Sequence, residues 1–136
     1  MSILYNNKII YLGTGKRKTS IAQVKLISGS GKLIINGLSG ELYLQFSPNY
    51  LKISFEPLNI LGLNKEYDVY VKVLGGGLAG QANSIKLGLA RALCYLDIEH
   101  KLMLNSKKLL KRDARIKEKK KYGLCKARKS PQYSKR

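Results

Sequence analysis

The chain has 136 residues, a length that predicts one domain, and its 26 Lys and Arg against 8 Asp and Glu give a net charge of +18. Hydrophobic content of 44% suits a packed core, while a single histidine and two cysteines without CxxC spacing argue against structural zinc and against a disulfide framework. No apolar stretch approaches the ~20 residues needed to span a bilayer, so the charge points to a polyanionic partner: nucleic acid first, an anionic membrane surface second.

The opening MSILYNNKIIYLGTG has no charged n-region, long apolar core or small-residue cleavage site, and it is not Arg- and Ser-rich. It therefore predicts neither a secretory signal nor a transit peptide, and a protein that works where it is made. Ile9 to Leu12 and Thr19 to Ile27 read as strands, the second alternating Ala22, Val24 and Leu26 with Gln23 and Lys25. Between them Lys16, Arg17 and Lys18 form a basic turn suited to a phosphate contact. Ser28 to Gly31 is a turn cluster, and Lys32 to Ile35 reads as a returning strand closed by Asn36-Gly37, which predicts a three-stranded meander.

Ser39 is positioned to cap a short helix through Phe46, and Ser47-Pro48 begins a second that Pro57 is expected to end. Tyr67, Val69, Val71 and Val73 alternate with Asp68, Tyr70 and Lys72 in a fourth strand with one buried face. Ala82, Ile85, Leu89, Leu93 and Leu96 recur at helical spacing and predict a sheet-covering helix over 80–96, in which Cys94 is a small core hydrophobe. A further helix over 99–110 would follow. The expectation is a globular α+β domain over 1–106 and an extended basic tail over 107–136.

That tail carries 14 Lys and Arg against Asp113 and Glu118. A segment so charged buries too little apolar surface to offset its ordering entropy, so it is expected to be mobile until phosphates order it. Tyr122 and Tyr133 are its aromatics, each beside basic residues and suited to stacking on an unpaired base or to anchoring on protein.

Gly75, Gly76, Gly77 and Gly80 fit G-x-G-x-x-G after a strand and before a helix. A second Rossmann half has no room after Asp97 and Glu99, so these glycines are read as backbone devices: positive φ, close helix packing, and a helix N-terminus open to an RNA phosphate. Gly15-Lys16 is no P-loop, because Arg17 stands where Ser or Thr must reach magnesium. His100 lies in a polar stretch, where it reads as a solvated histidine, and no nucleophile has an assignable base. The expectation is no catalysis, no cofactor and no metal.

Gly13 to Thr19, Gly29-Ser30-Gly31-Lys32 with Asn36-Gly37, Gly75 to Gln81, Arg112-Asp113-Ala114-Arg115, Glu118 to Gly123, Lys126-Ala127-Arg128 and Pro131 to Arg136 occur in order. This ordered set closely resembles the universal ninth small-subunit ribosomal protein family, in its bacterial and organellar form, from about Tyr11 onward. The resemblance implies a two-layer α+β fold with a four-stranded sheet, like the second domain of the fifth small-subunit ribosomal protein, including a left-handed crossover. It also implies a non-enzymatic place in the head of the small subunit, on the 3′ major domain of its rRNA and beside neighbouring ribosomal proteins.

By the same resemblance the tail threads rRNA and its tip, Ser134, Lys135 and Arg136, meets P-site tRNA. The rRNA contacts would come from Lys16, Arg17, Lys18, Lys111, Arg112, Arg115, Lys119, Lys120, Lys121, Lys126, Arg128 and Lys129. The family more often has Thr at Lys111, Phe at Tyr133, and Arg at Lys117 and Lys119; lysine there offers a point charge in place of a forked donor. An excess of lysine over arginine, 20 to 6, suits AT-rich coding. Together with the lack of a transit peptide it suggests a plastid-encoded member in the stroma, with a bacterial cytoplasm as the alternative. The rival classes are a DNA-compacting basic protein and a nucleotide-dependent enzyme.

Overall fold

The computed structural model describes residues 2–5 and 8–135. Strands β1 (Ser2–Tyr5), β2 (Lys8–Arg17), β3 (Ser20–Ser28), β4 (Leu33–Ile35) and β5 (Leu38–Ser39) precede helices α1 (Gly40–Tyr43) and α2 (Pro48–Leu61). Strand β6 (Tyr67–Leu74) and helices α3 (Leu78–Leu93) and α4 (Ile98–Ser106) complete the order. The sheet runs β1-β2-β3-β6-β4-β5, six strands where four were expected. The additions are the edge strands β1, which pairs with β2 through Leu4↔Ile9, and the two-residue β5 beyond the Asn36-Gly37 turn. No helix of the described residues is long and apolar enough to cross a membrane.

Alternation places the core as expected. Ala22, Val24 and Leu26 of β3 and Val69, Val71 and Val73 of β6 are buried, whereas Gln23, Lys25, Tyr70 and Lys72 face outward. Against the inner face lies α3, with Ala82, Ile85, Leu89 and Leu93 fully or almost fully buried. Ile85, Leu89 and Leu93 each contribute roughly 1.5–3 kcal/mol through removal from water. Its outer side is covered too: α2 packs on it, and Lys86 Nζ meets Glu56 Oε2 at 2.9 Å.

The predicted meander is overturned, because β6 lies between β3 and β4 and pairs antiparallel with the former and parallel with the latter. Asp68 at the start of β6 supplies a reason. Its Oδ1 accepts from Ser30 N at 2.9 Å and Lys32 N at 2.8 Å, so the turn after β3 wraps a β6 carboxylate and carries β4 across to the far side. At the other end Asn36 Oδ1 accepts from Val73 N at 2.9 Å while its Nδ2 donates to Val73 O at 3.1 Å, extending the β4–β6 ladder by a side-chain rung. The backbone N–H groups of Lys32 and Ser30 hold the Asp68 carboxyl below its usual range.

Helix α2 also departs from expectation, since Pro57 lies inside it and does not end it. An internal proline costs about 3 kcal/mol, but Pro57 and Leu58 are fully buried and their packing offsets that cost. The helix stops instead at Gly62, in the left-handed conformation with φ 73°. Ser39 Oγ caps α1 by accepting from Leu42 N, whereas Ser47 at the start of α2 makes no side-chain cap bond.

Strand β2 continues through Gly13 and Gly15, where a loop was expected, because these glycines let α3 approach. A Cβ on Gly13 would fall on the Gly88 carbonyl oxygen and one on Gly15 on the Ser84 carbonyl oxygen. Over-packing of a close contact typically costs ~1–3 kcal/mol. Gly15→Ala is therefore expected to lower the unfolding free energy by roughly 2 kcal/mol or more, whereas Gly77→Ala, with open space around its Cβ and φ −103°, should stay within about 0.5 kcal/mol in the same urea titration.

Candidate nucleic-acid interface

Because β2 runs to Arg17, the Lys16-Arg17-Lys18 cluster is not a loose fingertip. Only Lys18, at φ 52°, and Thr19 make the turn, while Lys16 and Arg17 occupy opposite faces of the strand end. Lys16 is exposed and Arg17 half-buried. Arg17 points to where the chain leaves α4. Its Nη1 meets Asp113 Oδ1 at 3.0 Å and donates to the carbonyls of Asp113 and Arg115, both at 3.2 Å. Asp113 Oδ1 in turn accepts from Arg115 N at 2.9 Å. Leu104 and Leu109, both buried, hold the preceding turn against the core.

The result is a cleft whose cations come from distant parts of the chain: Lys16 and Arg17 from β2, Lys86 from α3, and Lys108 and Lys111 from the start of the basic segment. Among the described residues Arg17 and Lys86 have acidic partners and Lys16, Lys108 and Lys111 have none. The cleft is thus a concentration of positive potential next to a pinned backbone, an arrangement fit for a phosphodiester chain. Lys86 and Lys108 were not among the expected contacts. The three-residue spacing of Asn83 and Lys86 places both on the α3 face that lines this cleft and is the one signal that could have found them.

Beyond Asp113 the described chain has neither helix nor strand, and the expected contacts Arg112, Arg115, Lys119, Lys120, Lys121, Lys126, Lys129, Ser134 and Lys135 are all exposed. Tyr122 and Tyr133 are also exposed, with no core against either ring. Arg136 lies outside the described residues. Two cations of this segment have acidic partners: Arg115 Nε lies 3.4 Å from Asp113 Oδ1, and the Arg128 guanidinium pairs with Glu118, Nε to Oε2 at 2.9 Å and Nη2 to Oε1 at 2.5 Å. Both acidic residues of the segment therefore have arginine partners.

The glycine motif serves the same end of the sheet. Gly75 and Gly76 have φ 69° and 70°, the left-handed region that favours glycine, and bring the chain from β6 into α3. Gly77 is the extended N-cap without a side-chain cap bond, and Gly80 is buried with only ordinary contacts for an added Cβ. The helix contact that does require glycine is Gly88, not Gly80. With one parallel strand pair, the sheet has no pair of βαβ halves to bind a dinucleotide. His100 is half-buried with Nδ1 buried and unpartnered, not solvated as expected, and Cys94 is half-buried against the core, where desolvation raises its thiol pKa.

The profile describing ribosomal protein S9/S16 matches residues 15–136. The small ribosomal subunit protein uS9c of Gracilaria tenuistipitata var. liui is 72% identical over 131 residues, which are 96% of each chain. That of Pyropia yezoensis is 59% identical over 133 residues, 98% of this chain and 97% of its own. The small ribosomal subunit protein uS9 of Cyanothece sp. is 59% identical over 131 residues, 96% of both.

The Asp113 carboxyl is held below its ordinary 3.8, first by the Arg115 N–H and then by the Arg115 and Arg17 charges. A depressed folded-state pKa contributes stability that is complete above the unfolded value and lost as pH falls through the folded one. The anchor should therefore persist at pH 5 and release below pH 3.8. Amide NMR is expected to show residues 111–116 gaining fast motion in Asp113→Ala at neutral pH, with the β2, β3 and α3 signals unchanged.

Proposed function

Since the chain belongs to the ribosomal protein S9/S16 family, and so is a structural constituent of the small ribosomal subunit and not an enzyme, we propose that it secures rRNA in the subunit head and steadies P-site tRNA. The observation that carries this reading is the cleft at the root of the basic segment. Three lysines without acidic partners converge there, beside a backbone that Arg17 pins, and the exposed cations of 111–135 continue from it. Division of labour follows from position. Residues 1–106 act as the globular rRNA-binding part and 107–136 as the tail. Lys16, Lys18, Lys111, Arg112, Arg115, Lys119, Lys120, Lys121, Lys126 and Lys129 bind rRNA phosphates, while Arg17 and Arg128 shape the backbone that presents them. Ser134, Lys135 and Arg136 form the tRNA contact, in keeping with the family resemblance.

The names of the Gracilaria and Pyropia relatives carry the suffix c, as uS9c. With the lysine bias of the chain, this supports a place in plastid ribosomes among the other proteins of the small-subunit head. A DNA-compacting protein would hold any duplex equally and would need no residue-specific anchor at the tail root.

Many phosphate contacts make affinity steeply salt-dependent. If about ten cations are engaged, affinity for the 3′ major-domain rRNA should fall roughly 10³- to 10⁵-fold between about 50 and 200 mM salt. Distributed contacts tolerate the loss of two cations, whereas a contact at one fixed place has no substitute. Removal of 134–136 is accordingly expected to leave incorporation into small subunits nearly intact and to weaken P-site tRNA binding, while removal of 117–136 impairs incorporation itself. Sedimentation of assembled subunits and filter binding of tRNA measure both; failure of the three-residue deletion to assemble, or normal tRNA binding by it, would refute the division.

A further inference from the structure

The basic segment after the root contains one acidic residue, Glu118, and on charge alone it is a defect in an RNA-binding tail. Its geometry gives it a use. Both carboxylate oxygens engage the Arg128 guanidinium across ten residues in a bidentate pair. Within the ring so closed Leu124 N donates to Lys121 O at 3.3 Å, and on the returning limb Cys125 N donates to Lys129 O, just beyond the ring, at 2.7 Å. Gly123 takes φ 75° with open space around it, the left-handed residue that turns the chain back. These contacts are mutually consistent: a side-chain clasp joins the two limbs, one local backbone bond closes the glycine turn between them, and a second shapes the returning limb. The clasp is exposed to solvent, so its role is to select a loop conformation and not to add much stability. The hydrogen bond from Arg128 holds the Glu118 carboxyl below its usual range.

What the loop presents is specific. Tyr122 stands at the turn with a relative exposure of 106%, an extended ring with no protein neighbour to cover it. Lys120 and Lys121 precede it, and Lys126 follows on the returning limb, all exposed. An aromatic face flanked by cations on a preformed turn fits an unpaired base whose flanking phosphates lie to either side.

We propose that residues 118–129 are a preorganised single-strand RNA site, closed by Glu118 and Arg128, in which Tyr122 stacks on an unpaired base and Lys120, Lys121 and Lys126 contact the adjoining phosphates. Glu118 is a positioning residue, acting on RNA through Arg128. The inference rests on the rRNA reading above and goes beyond it by assigning a built loop and a base contact to a segment that charge alone describes as a mobile strand.

The sign of one substitution separates the two descriptions. Glu118→Gln removes a negative charge from a strongly basic segment; if charge alone governs binding, affinity for RNA rises. If the clasp preorganises the loop, affinity falls, and an expected loss is about three- to tenfold. The experiment uses the full chain and a transcript of the 3′ major domain of small-subunit rRNA at fixed salt. It adds the charge-swapped Glu118→Arg/Arg128→Glu double variant, expected to regain most of the lost affinity at unchanged net charge, and Tyr122→Ala, expected to lose about tenfold where Tyr122→Phe loses none. Amide relaxation of the free protein gives an RNA-independent readout: residues 119–127 should be ordered in the parent chain and mobile in Glu118→Gln. Failure of the parent chain to bind the transcript would count against the rRNA reading and leave the loop to be judged by relaxation. Equal or tighter binding by Glu118→Gln, no recovery in the swapped variant, parental affinity in Tyr122→Ala, or mobile 119–127 in the parent chain would each overturn the site proposed here.

Discussion

The structure depends on how closely α3 lies against β2. Two backbone segments meet where Gly13 and Gly15 face Ser84 and Gly88, and Gly88 itself sits under Val24 with no room for a side chain. That contact sets the height of α3 above the sheet, and with it the burial of Ile85, Leu89 and Leu93. It also decides where the ends of both elements fall. Arg17 closes β2 beside Lys86 and Asn83 of α3, and the cleft between them receives the chain as it leaves α4. Packing in the core is thus linked, through one guanidinium, to the direction in which the basic segment sets out.

The few acidic groups show how a chain of net charge +18 retains a defined shape. Asp68 organises the turn that carries β4 past β6, Glu56 joins α2 to α3, Asp113 anchors the root of the basic segment, and Glu118 closes a loop within it. Each directs its charge to backbone N–H groups, to one or two cations, or to both, and most of the exposed lysines around them keep theirs unneutralised. Arginines and lysines differ accordingly. Arg17, Arg91 and Arg128 make forked or carbonyl-directed contacts to protein groups, as a planar multi-donor group can, while most of the remaining exposed charge is lysine.

Local patterns were legible where one residue's surroundings repeat with the period of the element. The valines of β6, the alternation of β3, the stripe of α3 and the Asn36-Gly37 turn all carry their own geometry, and so each element could be located from a short window. Partnership between strands could not. Nothing in Leu33-Ile34-Ile35 distinguishes a β3 neighbour from a β6 neighbour, and the decision rests on Asp68 and Asn36 acting some 36 residues away in sequence. Gly13 and Gly15 read as loop because their reason is the helix above them, and Pro57 read as a helix end because its burial is a tertiary fact. Composition also shows where the charge lies along the chain. It gave no hint that Arg17 and Arg128 are engaged by protein groups, since that follows from two carboxylates meeting them in space.

The central claim is that the cleft between β2, α3 and the start of the basic segment, together with that segment, forms the RNA-binding surface, and that the open outer face of the sheet does not. Ultraviolet crosslinking of intact small subunits, with the RNA-linked peptides mapped by mass spectrometry, tests this most directly. The account predicts rRNA adducts on peptides containing Lys16 to Lys18 and on those spanning Lys108 to Lys129. Adducts concentrated at Lys25, Tyr70 and Lys72 on the outer sheet face, with none in the basic segment, would contradict it.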